Sequence, residues 1–265
     1  MKYSIITVNF NNKEGLRKTI ESVIHQTFRD FEFIVIDGGS TDGSTDVIKE
    51  YDKQIDYWVS EPDGGIYQGM NKGVKKATGD YLNFMNSGDC FYANDVLQKV
   101  ANYSYDSDII TGRDYHYNEE KKRGHASIQP TRLSMITFFT STLDHQSSFI
   151  KKHLFEGSLY REDLRLVSDW VFFVEKVVLE GKIVCFIPDI ICRREVAGIT
   201  AQQYSLNLRE KENYLRELLP SGIYKDYDTL AKIDKGILYK LFNIIDHESK
   251  RNYLIWFIKI LSKLY

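Results

Sequence analysis

Tyr81-Leu82-Asn83-Phe84-Met85-Asn86-Ser87-Gly88-Asp89 is the stretch around which the chain is organised. Its first half is apolar and aromatic, as in a buried strand. It then breaks into Asn, Ser, Gly and Asp, which is turn chemistry. In an open α/β sheet, ligands bind at the carboxyl ends of the strands. Asp89 therefore falls where a ligand sits. A carboxylate there can hold a hard divalent cation, and Mg2+ suits a diphosphate. The same residues also serve simply to turn the chain and cap the next helix. Taken alone, the stretch favours that simpler role.

The flanking sequence makes the fold explicit. Tyr3 to Val8 is a strand by its β-branched content and ends at Asn9-Phe10-Asn11-Asn12. Leu16, Ile20, Val23 and Ile24 recur at helical spacing, so 13–26 is an amphipathic helix. Phe31 to Ile36 is continuously apolar, as in a strand covered on both faces. Asp37 follows, then a glycine-containing turn, with Ser44 or Thr45 as the cap of a helix over 46–51. A short strand over 56–60, the turn Asp63-Gly64-Gly65 and a helix over 66–78 lead into the opening stretch. This βαβαβαβ order implies a mostly parallel, Rossmann-like sheet flanked by helices. Asn9, Asn11, Asp37, Asp63 and Asp89 then gather along one edge of that sheet. One such residue is easily a cap; several in one crevice point to a ligand.

The composition narrows the function. A net charge of -2 gives no electrostatic case for nucleic acid. Three cysteines, Cys90, Cys185 and Cys192, without CxxC spacing fit free thiols in a reducing compartment. The chain opens directly into a strand with no signal-peptide layout. No apolar run approaches the roughly 20 residues that span a bilayer. A cytoplasmic protein is expected, peripheral at most on the inner face of the cell membrane.

Downstream, 108–112 reads as a strand, and 114–127 as either a hairpin or a mobile loop. Asp144-His145-Gln146-Ser147-Ser148-Phe149-Ile150 reads as a strand preceded by polar residues. A lone histidine is more often structural, so His145 stays open between a structural and a site role. Ser168-Asp169 opens an apolar helix, where either residue suits an N-cap. Lys182 to Pro188 is a last strand, followed by Arg193-Arg194, which fits a solvated pair or a phosphate contact. From Tyr204 the pattern is helical. The segment 252–265 is the most hydrophobic of the chain. With Trp256 and two lysines it suits an interfacial helix, and more simply one packed on its own domain or on a second subunit as a homodimer.

Several motifs, in order, resemble the inverting family-2 glycosyltransferases of the GT-A fold. They are Ser4 to Asn11, Glu21 to Phe28, Phe33 to Ser44, Asp63-Gly64-Gly65-Ile66-Tyr67, Met70-Asn71-Lys72-Gly73 and Ala77 to Leu82. The likeness is greatest to the bacterial polysaccharide-assembly branch, colanic-acid-type transferases included. It is strong over 1–100 and looser over 140–200. It implies a GT-A catalytic domain over 1–203, with 1–100 the nucleotide-binding half and 101–203 the acceptor half, and a helical extension over 204–265.

The resemblance also implies roles. Thr7, Asn9 and Asn11 line the nucleotide site. Asp37 reads the base, most simply uracil. Asp63 and Asn71 border the ribose and diphosphate. Asn86, Ser87 and Asp89 occupy the family's acidic metal motif, thinned here because Asn86 and Gly88 replace acidic residues. Asp89 then holds Mn2+ or Mg2+, His145 lies near donor or acceptor, and Asp169 is the general base. Gly198-Ile199-Thr200 falls where relatives close a loop over the diphosphate. The partners implied are a nucleotide-sugar donor, a UDP-sugar above all, and a glycan or lipid-linked acceptor, with no nucleic acid. Two alternatives stay open: a nucleotidyltransferase, and a non-catalytic member that binds nucleotide-sugar or scaffolds an assembly complex.

Overall fold

Strand β1 (Tyr3–Asn9) is buried along its whole length, because strands pair with it on both sides. The structure is a computed structural model and describes residues 3–103, 106–130, 132–195, 203–233, 241, 244–245 and 248–261. Strands β2 (Phe31–Asp37) and β4 (Tyr81–Phe84) pair in parallel with β1, and β3 (Tyr57–Ser60) pairs in parallel with β2. The connecting helices are α1 (Lys13–Ile24), α2 (Ser44–Glu50) and α3 (Ile66–Lys76). The expected βαβ half is present, with boundaries shifted by one or two residues. The cap of α2 differs: Gly43 is the N-cap, and Asp42 Oδ1 accepts from both Ser44 N and Ser44 Oγ. An acidic side chain one residue further upstream does the capping expected of Ser44 or Thr45.

Beyond β4 the sheet is mixed. The remaining strands are β5 (Cys90–Phe91), β6 (Ile109–Asn118), β7 (Arg123–Ala126), β8 (Ser148–Lys151) and β9 (Val184–Glu195). The spatial order is β3-β2-β1-β4-β8-β6-β9-β5, with β7 paired to β6. β8 runs antiparallel to β4 and β6, while β6 and β9 are parallel. Residues 114–127 form a hairpin, β6 pairing antiparallel with β7 from Tyr115↔Ala126 to Asn118↔Arg123. The last strand extends seven residues past Pro188, so Arg193 and Arg194 lie within it and point to opposite faces.

The first compact unit comprises 1–129 and 142–214. It holds the whole sheet, α4 (Val96–Val100), α6 (Ser168–Phe173) and residues 204–214 of α7 (Tyr204–Leu218). Its core includes Tyr3, Ile5, Leu16, Ile20, Phe33 and Phe149, all fully buried. The second unit comprises 130–141 and 215–265. It contains α5 (Met135–Thr140), α8 (Ser221–Ala231) and α9 (Glu248–Leu261). Phe139 of α5 stacks on Tyr227 of α8 at 5.4 Å. On α9, Tyr253, Ile255 and Trp256 are exposed, and residues 262–265 lie outside the described residues. Among the described residues no helix is long and apolar enough to cross a membrane.

One close approach brings helix and sheet together. A Cβ on Gly73 would lie 2.4 Å from Ile6 Cγ2, so α3 reaches β1 only because position 73 has no side chain. Gly73→Ala is expected to lower the unfolding free energy by about 1–3 kcal/mol through overpacking. A shift of the urea midpoint with unchanged slope would read this out.

Candidate active site

The carboxyl ends of β1, β2 and β4 carry the polar side chains. Asp37, the last residue of β2, is fully buried and accepts four hydrogen bonds. They come from Asn9 Nδ2 (2.7 Å), Ser40 Oγ (2.6 Å), Ser40 N (2.9 Å) and Ser60 Oγ (2.6 Å). Burial pushes its carboxyl up, but these donors outweigh it and hold it below the usual carboxylate range. A carboxylate has about four acceptor positions, so Asp37 is saturated. For it to read a base, Ser40 or Ser60 must turn away. Asn9 Oδ1, by contrast, is buried and without a hydrogen bond, an acceptor with spare capacity. Asn11 has φ +47 and is exposed; its Oδ1 accepts from Thr41 N.

Other expected residues are engaged within the protein. Thr7 donates its hydroxyl to Met85 O at 2.7 Å and is fully buried. Asn71 donates Nδ2 to Tyr160 O and Glu162 Oε1, and its Oδ1 accepts from Tyr160 N. It fastens the segment 160–162 to α3. Asp63 is partly exposed and accepts from Gly65 N, and burial raises its carboxyl. Ser87 Oγ lies 3.4 Å from Asn12 Nδ2.

The loop 86–89 is clamped by a residue that the motif reading passes over. Thr19, on the buried face of α1, donates its hydroxyl to Asp89 O (2.6 Å), and Thr19 Oγ1 accepts from Gly88 N (3.0 Å). Its one sequence signal is a polar residue inside the apolar stripe of α1. Gly88 itself sits at φ +103, which favours glycine.

Two successive residues of one short turn each bond a carboxylate. His145 and Gln146 lie in a 3-10 turn over His145–Ser147. Asn83 of β4 anchors that turn, donating to Gln146 O and Ser148 O. His145 Nδ1 lies 2.7 Å from Asp169 Oδ2, and Gln146 Nε2 donates to Asp89 Oδ2 at 3.0 Å. Tyr67 donates Oη to the other oxygen of Asp169, also at 2.7 Å. The helix α6 has Val167 as its N-cap with no side-chain cap bond. The capping role weighed for Ser168 or Asp169 is thus replaced, because the Asp169 side chain is spent on His145 and Tyr67. Burial raises the Asp169 carboxyl, and the bonds from His145 and Tyr67 reverse this and leave it lowered. Helix α7 holds α6 from outside: Glu210 accepts from Arg165 N and Leu166 N, and Lys211 Nζ lies over the Trp170 ring at 5.2 Å.

Asp89 is half-buried, and burial raises its carboxyl, with Gln146 pulling the other way. A second acidic group, Asp114, His116 and Asp144, has ligand atoms within 4.8 Å of one another. Arg194 already supplies the cation there, its Nε 3.2 Å from Asp114 Oδ2 and Nη2 3.1 Å from Asp144 Oδ1. A divalent ion at that group would have to displace the guanidinium. Arg194 is thus held between two carboxylates, while Arg193 lies over the Tyr117 ring at 4.0 Å. The Gly198-Ile199-Thr200 loop lies outside the described residues.

A Rossmann-like sheet with acidic and amide groups gathered at its strand ends has the form of a ligand site. The family model "Glycosyl transferase family 2" matches residues 4–157, and the chain belongs to that family. It is a glycosyltransferase with a GT-A-like fold. An uncharacterised glycosyltransferase of Mycobacterium tuberculosis is 31% identical over 208 residues, 74% of this chain and 76% of that protein. Among solved structures, Staphylococcus aureus TarS matches with a TM-score of 0.64 and 19% identity over 86% of this chain. The chain spans 42% of the TarS chain. A 1–349 form of TarS has been solved with UDP and with UDP-GlcNAc. A mannosyltransferase from Pyrobaculum calidifontis, solved with GDP-Man and Mn2+, matches with a TM-score of 0.57 and 14% identity over 95% of this chain. At these identities the structures speak to the fold.

Proposed function

We propose that the protein transfers a sugar, with inversion, from a UDP-sugar to a glycan or lipid-linked acceptor in cell-surface polysaccharide synthesis. Asp169 is the general base of this reaction. The observation that carries the reading is the turn at 145–147, which holds Asp169 through His145 and Asp89 through Gln146. An acceptor hydroxyl is a poor nucleophile until a base begins to take its proton. The acceptor oxygen bonds to the anomeric carbon as the bond from that carbon to the diphosphate breaks. The hydroxyl proton passes to Asp169, and UDP departs. Tyr67 and His145 keep Asp169 ionised and oriented. Asp89 would hold a divalent cation, Mn2+ or Mg2+, which offsets charge on the diphosphate. A half-buried carboxylate with one amide donor fits such an ion. Asn9, with its spare acceptor, lines the nucleotide site beside Asp37.

The polysaccharide-assembly role, of colanic-acid type or another, rests on the motif resemblance. The exposed Tyr253, Ile255 and Trp256 of α9 suit peripheral contact with a membrane that presents lipid-linked acceptors. Family membership argues against nucleotidyl transfer. The thinned acidic motif keeps a non-catalytic donor-binding role as the second reading. Calorimetry with UDP and GDP, with and without Mn2+, followed by nucleotide release from a panel of UDP- and GDP-sugars, separates them. Micromolar UDP binding with turnover of one donor supports the transferase. Binding without turnover of any donor and acceptor supports the second reading. No binding of either nucleotide sinks both.

One pH effect follows from the geometry. Tyr67→Phe removes a hydrogen bond that favours the charged form of Asp169. The carboxyl pKa then rises, so the acid limb of kcat/KM moves to higher pH. A pH-rate profile of the variant against wild type tests this.

A further inference from the structure

We infer that Asn86 is a positioning residue for the base, acting through His145 by keeping the imidazole proton on Nδ1. The inference rests on Asp169 as the base. An ionised carboxylate only accepts, so the ring nitrogen 2.7 Å from Asp169 Oδ2 must carry a proton. In a neutral imidazole the other nitrogen is then an acceptor, and it needs a donor opposite it. Asn86 Nδ2 stands 3.2 Å from His145 Nε2. The amide thereby selects the tautomer that directs an N–H at Asp169.

The backbone around Asn86 is held for this task. Met85 N donates to Ile6 O (2.9 Å) and Ser87 N to Val8 O (3.1 Å), so pairing with β1 continues past the end of β4. Asn86 O accepts from Asp89 N at 3.0 Å. Asn83, three residues earlier, fixes the backbone of the turn that carries His145. The same strand thus holds the turn with one asparagine and the ring with the next.

This accounts for the departure from the acidic motif. A carboxylate at 86 would face Nε2 with an acceptor. The ring would then take a second proton and sit as an imidazolium between two carboxylates. Asparagine has the same shape and donates. During transfer the acceptor proton goes to Asp169, while His145 keeps its own proton throughout.

The test begins with the wild-type protein, 15N-labelled at histidine. Imidazole spectra near neutral pH should show His145 protonated at Nδ1 and bare at Nε2. A ring protonated at Nε2, alone or with Nδ1, overturns the inference. Asn86→Ala and Asn86→Asp should both lower kcat by about tenfold or more, with UDP affinity within about twofold of wild type. Asn86→Asp should also protonate Nε2. Turnover of Asn86→Asp at or above wild type overturns the inference, since 86 would then be acting as part of the acidic motif. Retained UDP binding marks a folded site, and the wild-type spectrum decides the matter if a variant does not fold. That spectrum needs no activity, so failure of this inference is distinct from failure of the transferase reading.

Discussion

Asp169→Asn is expected to lower kcat by about 10²–10⁴-fold with nucleotide affinity retained, the span typical for loss of a general base. An amide cannot take the acceptor proton. It also has one acceptor oxygen where the carboxylate has two, and Tyr67 Oη and His145 Nδ1 both donate to that position. One of the two would face an NH2 group, so orientation suffers together with basicity. Single-turnover transfer measured with saturating donor isolates this effect from binding. Transfer at the wild-type rate would remove Asp169 from the base role. Loss of UDP affinity together with kcat would mean that the substitution has disturbed the fold of the site.

Asp89→Ala should show the opposite split. We expect UDP affinity in the presence of Mn2+ to fall by about 10- to 100-fold, and its metal dependence to disappear. Stability should not fall with it. Burial raises the Asp89 carboxyl, so folding opposes its ionisation. For a group whose folded pKa is raised, the charged form destabilises the fold at pH values above that pKa. Removing the carboxylate therefore leaves the neutral-pH unfolding midpoint unchanged or higher. Calorimetric titration of UDP with and without Mn2+, beside a thermal melt, reads both halves. Unchanged, metal-dependent UDP binding in the variant would place the cation elsewhere.

The two halves of the molecule differ in how far their sequence could be read. From 3 to 89, strands and helices alternate with clean periodicity, and turn residues mark the strand ends. Each signal is local to one element, and the observed elements follow it closely. From 109 onward the strands pair antiparallel or across long gaps, as β8 does with β4 and β9 with β6. No local pattern specifies such pairing. The hairpin of β6 and β7 was one of two open readings of 114–127, because its alternation mixes aromatic and charged residues on both faces.

The site was legible as positions rather than as contacts. Asp89, Asp37 and Asn9 could be placed at strand ends because strand period and turn chemistry are local properties. Whether a polar side chain remains available to a substrate depends on partners distant in the chain. Tyr67 and Asp169 are 102 residues apart, and Asn86 and His145 are 59 apart. Arg194 meets Asp114 and Asp144 only when β9, β6 and the turn before β8 converge. Adjacent arginines in a strand face opposite ways, so the pair at 193–194 splits between two environments. Local patterning thus sufficed for the α/β architecture and for the edge where the chemistry lies. Packing alone decided which carboxylates are saturated, like Asp37, and which amide stands against His145 Nε2, because most buried donors and acceptors find their partners across the fold.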